Sequence, residues 1–436
     1  MCGSGTMPWQ EYFAAAKFLI FDQFDELLDH DTNKGMVGID IRNTLRKYIA
    51  GEAISDSEDE EDGDAEDRKI VFLTSCLTDV NQLESRHAED RVYGMHALYT
   101  ALGIAMPDVD YNRPLAHIYG DATVAMIQWS RGLRILRDAS STHRHPSLPS
   151  WTPDWSDNQA RLYMPDHDAT NASRLDDSDL EALHTAQGYL RARGRLVGTV
   201  NGAGVMVFPM TSSLTILSST AQYRNLSDPE YLRLTIERIA FLRELYHGLR
   251  NFSQTHNDSN PSEGFYNLLS LGQSSGVFLD LDLFDEWTEF ITRSQAAIKQ
   301  LRARSLALEW KATDPSDPNE WTDEILECTT IAAALVTQWV DRGGEMLDLT
   351  QTVITNFQDR AVIQVDYEQS FPVTVGTTFA RTRAGDKVVL LKGASWPIVL
   401  RSSGMSWEFV GPAHVLGLMN GEQWHREADL DNFVLN

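Results

Sequence analysis

Between Asp366 and Gly421 turn-forming clusters recur about every ten residues, and that spacing constrains the fold of this chain more tightly than any other feature. Arg383-Ala-Gly-Asp386, Gly393-Ala-Ser395 and Ser402-Ser-Gly404 separate Phe379, Val388–Leu391, Ile398–Leu400 and Trp407–Val410. Apolar runs this short, rich in valine and isoleucine and bounded by glycine, predict strands rather than helices. The expected object is a small antiparallel β-barrel or sheet. Farther upstream, Tyr189, Ala192, Leu196, Val197, Val200, Val205 and Val207 lie among glycines from Gly188 onward, which predicts one or two more strands.

Elsewhere the period changes. Phe13, Ala16, Leu19, Phe24 and Leu27 fall on one face of a helix within Trp9–Leu28, and Ile39–Ile49 repeats this more weakly. Ile70–Cys76, Ala88–Leu102 and Pro114–Leu136 extend the helical reading, the last with proline at its first turn. Ser227-Asp-Pro-Glu230 is a capping-box pattern ahead of Leu232, Ile236, Ile239 and Leu242. Leu283–Trp310 and Thr322–Val340 predict further helices, the last stopped by Gly343-Gly344. The fold class expected from these patterns is α+β, with mainly helical N-terminal and middle regions and a small antiparallel β-barrel formed mostly by the C-terminal segment. The expected organisation is a helical region over 1–160 with an acidic loop at 55–68, strands over 185–210, a helical stretch over 225–350, and the barrel segment over 362–425. Nine of the twelve residues from Asp56 to Asp67 are acidic, too few of them apolar to bury surface, so that loop reads as solvated.

Charge and cysteine usage narrow the function. A formal charge of −26 over 436 residues repels phosphate backbones and anionic lipids, which argues against nucleic acid and membrane surfaces as partners. The one locally basic stretch, Arg131–His145, is short. Cys2, Cys76 and Cys328 are odd in number and far apart, as in a reducing compartment, and no apolar run reaches the roughly 20 residues of a membrane span. Cytoplasm or nucleus is the expected location.

Candidate chemistry is sparse. His143-Arg-His145, with His117 or His96, has imidazoles suited to zinc, but no second pair follows at ligand spacing, so a solvated loop is the simpler reading. Gly272-Gln-Ser274-Ser-Gly276 has the letters of a nucleophile elbow, with Asp366 and His414 following in triad order. Its flanks alternate at Val277, Leu279, Leu281 and Leu283 instead of opening a helix, so it reads as a turn. Gly202-Ala-Gly204 lacks the third glycine of a phosphate-cradling loop. Nothing beside Cys2 or Cys76 lowers a thiol pKa. An enzyme would need Ser274, Asp366, Glu368 or His414 to converge in one cleft. No catalytic, cofactor-binding or metal residue is assigned, and no cofactor is expected.

Three stretches remain: EDRVYGMHALYTALG from Glu89, PDVDYNRPLAHIYGDATVAMI from Pro107, and LPSWTPDWSD up to Asp157. They resemble the region that follows the signature domain of fungal heterokaryon-incompatibility (HET) proteins. There the pattern runs D-[KR]-V-Y, P-D-Y-x-[KR], an amphipathic helix, then S-W-x-P-D-W. ARTRAGDKVVLL, PIVLR and VGPAHVLGLMNGE resemble the C-terminal barrel of HET-6-like members, and the resemblance implies that the strands of 185–210 join 362–425 in one small barrel, with 225–350 as a helical insertion between them. The family's V-Y-A-L-L-G-L is lengthened here to Val92-Tyr-Gly-Met-His-Ala-Leu98 before Leu102-Gly103. No R-x-W-T-x-Q-E motif of the signature domain is found, and six residues precede Met7-Pro8-Trp9. The resemblance implies a HET-related protein without that domain, serving non-self recognition as a regulatory or interaction module with an unidentified protein partner. The motif residues carried over are Asp90, Arg91, Val92, Tyr93, Asp110, Tyr111, Trp151, Pro153, Asp154 and Trp155, all read as structural. Asp90 is expected to stabilise a helix start and Arg91 to pair with a carboxylate, while two indoles around Pro153 form a clamp and Asp154 binds backbone N–H groups.

Overall fold

The computed structural model describes residues 85–140, 144–157, 172–173, 183–184, 188–201, 206–207, 268, 360–367, 374–424 and 430–436. The chain divides into two compact units, Met1–Ile135 with His143–Ala160, and Leu136–Thr142 with Arg161–Asn436.

The first unit holds the α-helices among the described residues. The stretch Ala88–Leu102 forms two short helices instead of one, α1 (Asp90–Tyr93) and α2 (His96–Ala101). Gly94, which weakens a helix interior, sits at the break. A helix α3 (Leu115–Ser130) follows Pro114. It ends at Arg131, which takes a left-handed φ of 48°, the one non-glycine among the described residues to do so. A 3₁₀ turn covers Arg134–Ala139. The α3 residues Ile118, Tyr119, Ala122, Met126 and Ile127 are buried, and the Trp129 indole donates to the Leu102 carbonyl at 2.9 Å.

The second unit carries one nine-stranded sheet: β1 (Leu183–His184), β2 (Leu190–Val200), β3 (Met206–Val207), β4 (Arg360–Tyr367), β5 (Thr374–Phe379), β6 (Lys387–Leu391), β7 (Ile398–Ser403), β8 (Ser406–Val415) and β9 (Asp431–Leu435). Its order is β1-β2-β6-β7-β8-β5-β4-β3, with β9 on β2 and β8. Trp407 and Leu435 make β8–β9 a parallel pair, so the sheet is mixed.

This corrects the expected fold class. Among the described residues the architecture is dominated by the sheet, with three short α-helices, and no barrel is assigned. One physical reason accounts for part of the difference. The period-2 signal ends near Gly421, whereas β9 is a five-residue strand with only Phe433 and Leu435 buried, too little pattern to register. The stretches read as long amphipathic helices, Trp9–Leu28, Ile39–Ile49, Ile70–Cys76, 227–249, 283–310 and 322–340, lie outside the described residues, as does the acidic loop.

The eleven-residue β2 pairs in turn with β1, β9, β6 and β4. Two glycines allow this crowding. A Cβ on Gly194 would stand 2.5 Å from the Leu390 carbonyl oxygen, and one on Gly198 2.7 Å from that of Asp366. The register shifts between Leu196 and Gly198, and β4 joins from Gly198 on. One face of the sheet buries Val200, Ile363, Val365, Leu390, Val399 and Val415, all at 1% exposure or less. The other face, over β5 and β8, is buried as well, as the unbroken burial of Thr374–Phe379 shows.

Candidate functional site

The motif residues from Asp90 to Trp155 assemble within the first unit. Val92 and Tyr93 are buried on α1. The Tyr93 hydroxyl donates to the Asp110 carbonyl at 2.9 Å, and its ring meets Tyr111 edge-on with centroids 5.1 Å apart. Tyr111 in turn donates its hydroxyl to Asp90 Oδ1 at 2.7 Å. That bond to a carboxylate raises the Tyr111 pKa above its ordinary value. Asp90 therefore spends its carboxylate on a tyrosine 21 residues away. The residue before the helix, Glu89, makes no side-chain cap bond, and Arg91 is buried at 5% exposure.

Asp110 shapes its own loop. Its Oδ1 accepts the Asn112 backbone N–H at 2.9 Å and the Asn112 side-chain amide at 3.1 Å, an Asx turn. Arg113 pairs with Asp121 on α3. The loop is thus held at Tyr93, Asp90 and Asp121 while Asp108 to Asn112 stay exposed. Val109 and Tyr111, 49% and 57% exposed, are two of the three large exposed hydrophobics among the described residues.

The second motif packs tightly. Trp151 to Trp155 are buried throughout, and Trp155 meets the Tyr119 ring at 4.9 Å and 75°. Asp154, 3% exposed, accepts the His145 N–H at 2.7 Å through Oδ2 and the Ser156 N–H and hydroxyl at 3.0 and 2.5 Å through Oδ1. Three donors on one carboxylate satisfy a charge that burial alone would penalise. The Tyr119 hydroxyl donates to the Ala88 carbonyl at 2.7 Å. Burial, with the Asp154 charge adding to it, raises the pKa of that phenol.

Of the enzymatic constellation, the two described members, Asp366 and His414, do not come together. Ser274 and Glu368 lie outside the described residues. Asp366 accepts both bonds of the Asn201 amide, at 2.9 and 3.1 Å. His414 shares a register row with Thr377 and Val362, and Asp366 stands four residues along β4 from that row, roughly 13 Å at strand spacing. That separation exceeds the hydrogen-bond reach a base and its orienting carboxylate require. Burial, with the Arg360 charge adding to it, lowers the His414 pKa to about 3, so the ring is neutral. Cys2, Cys76, His143 and Gly202-Ala-Gly204 also lie outside the described residues. His145 Nδ1 lies 2.8 Å from the Ser147 hydroxyl, and among the described residues no group of three or more His, Cys, Asp or Glu is placed to hold a metal. No described helix is long and apolar enough to cross a membrane.

Sequence reasoning missed two polar groupings on the sheet. Arg401 grips Asp386 with two bonds, 2.9 and 2.8 Å, and Asp386 also accepts the Arg383 N–H at 2.8 Å. Arg381 bonds the Val410 and Phe409 carbonyls, and burial lowers its pKa. Glu408 stands 3.7 and 3.8 Å from the two guanidinium groups, which closes a four-member network. Each member is engaged in holding turns and strands together. The second grouping is Arg360, Thr377 and His414, all buried, with Arg360 two residues along β4 from the Thr377–His414 row. A basic residue within an apolar, strand-like run was the available signal for both.

No family model matches the chain, and comparison with curated proteins and with solved structures finds no match.

Proposed function

We propose that this chain is a heterokaryon-incompatibility-related recognition module that works in the fungal cytoplasm by binding a protein partner, not by chemistry of its own. The observation that carries this reading is the loop from Asp108 to Asn112. It exposes Val109 and Tyr111 between two aspartates and is braced from three sides by bonds to Tyr93, Asp90 and Asp121. Bracing lowers the ordering cost of binding, and an aromatic anchor ringed by carboxylates favours a partner with basic residues. Each charged motif residue whose bonds are described serves packing: Asp90 holds Tyr111, Asp154 holds the tryptophan clamp, and Asp110 shapes the loop.

The test is a heterokaryon assay in which strains carrying the wild-type chain are paired with tester strains and scored for growth arrest at the fusion zone. A variant carrying Asp108→Lys, Val109→Ser and Tyr111→Ala is expected to lose the response at unchanged protein level. A wild-type chain that provokes no response in any pairing refutes the incompatibility role. A variant that responds as strongly as wild type refutes the loop as the contact.

A further inference from the structure

Thr377 on β5 and His414 on β8 are register partners, so both side chains leave the same face of the sheet with Cβ atoms about 4.5–5.5 Å apart. Both are buried, at 0% and 3% exposure. Neither Thr377 Oγ1 nor His414 Nδ1 has a hydrogen-bond partner among protein groups. The neighbouring threonines of β5 are served differently: Thr374 donates to the Leu416 carbonyl at 2.8 Å and Thr378 to the Pro412 carbonyl at 3.1 Å. Thr377 alone among the three finds no carbonyl. An orphaned pair in one place calls for an occupant, because each buried polar atom left without a bond is costly and rare in folded proteins.

We propose that an internal water molecule bridges Thr377 Oγ1 and His414 Nδ1. The two side chains make no direct bond, and one water making two bonds of about 2.8 Å spans a gap of about 4.5 Å. Water donates to one atom and accepts from the other, so it serves either tautomer of a neutral imidazole. Arg360, two residues along β4 from the strand partner of Thr377, lies on the same face, and its charge opposes protonation of His414.

The sign of one substitution separates a bridged hydroxyl from an orphaned one. Thr377→Val keeps the shape and deletes the hydroxyl. With a bridging water it removes a bond and strands the partner, so the unfolding equilibrium constant should rise about fivefold. The rise should be smaller in a His414→Leu background, because the two sites share the water. An unfolding constant that falls in Thr377→Val, or rises equally in both backgrounds, overturns the proposal. A crystal structure of the wild-type chain gives an independent reading. An ordered solvent oxygen within bonding distance of both atoms supports the bridge, and empty density between them overturns it. Stabilisation by inorganic phosphate that Thr377→Val abolishes would mean an anion in place of water, and would also overturn it.

Discussion

Replacing His414 with glutamine should remove a specific part of the acid sensitivity of the sheet. The folded imidazole takes up a proton only near pH 3, held down by its burial and by Arg360, whereas in the unfolded chain it does so near the ordinary 6.5. Between those values the unfolded form binds one more proton than the folded form, so acidification favours unfolding. The stabilisation from this group is complete above pH 6.5 and is withdrawn as pH falls toward 3. Integrating between pH 7.5 and pH 5.0 gives a loss of about 2 kcal/mol, a factor of about 30 in the opening equilibrium. Hydrogen exchange in the regime where protection reports that equilibrium reads it directly. After correction for intrinsic rates, protection of peptides covering β5 and β8 should fall about 30-fold more in wild type than in His414→Gln over that interval. Other titrating groups contribute equally to both proteins and cancel. Equal losses would mean that β5 and β8 open without exposing His414, or that the ring is protonated in the folded state, and either outcome refutes the reasoning.

Gly376→Ala should destabilise the sheet by about 2 kcal/mol or more, since the added Cβ would stand 2.6 Å from the His414 carbonyl oxygen and 2.8 Å from a Val415 methyl. Urea denaturation followed by far-ultraviolet circular dichroism checks it, and a midpoint within error of wild type would show that β5 and β8 can separate cheaply. Asp154→Ala strands three donors around the tryptophan clamp, and a cost of about 2–3 kcal/mol is expected. Tryptophan fluorescence on denaturation reads it, and a loss below about half a kcal/mol would show that solvent replaces the carboxylate.

The sheet was legible wherever its signals are local. Lys387–Leu391, Ile398–Ser403 and Ser406–Val415 each follow a turn, at which Gly385, Gly393 and Gly404 take φ of 87°, 81° and 64° respectively. Only glycine adopts such angles without strain, so the chain announces those corners. The partners are another matter. Asp386 in one of those turns reads as a turn residue and nothing more, yet its carboxylate is held by Arg401 from a strand 15 residues on. Thr377 and His414 are 37 positions apart and meet only because β8 lies beside β5. The clamp was easier, because Asp154 and its donors His145 and Ser156 are close in sequence. Tyr111 and Asp90 show the limit from the other side. Both were marked as motif residues, and Asp90 does open a helix as local propensity predicts, but its carboxylate also takes the phenol of Tyr111, 21 residues away.

The eleven-residue strand β2 also sets a timetable for synthesis. Residues 190–200 leave the ribosome with their main partners unmade: β4 begins at Arg360, and β9 ends at Leu435. At about 5–20 residues per second, the 235 positions from Val200 to Leu435 take roughly 10–50 s to appear. Throughout that interval a strand with open edges, its apolar residues alternating with Arg191, Arg193 and Arg195, must avoid every other strand in the cell. Yield from expression should therefore depend on chaperone supply and elongation rate more than on the stability of the finished sheet, and slowing translation after residue 200 should lower it.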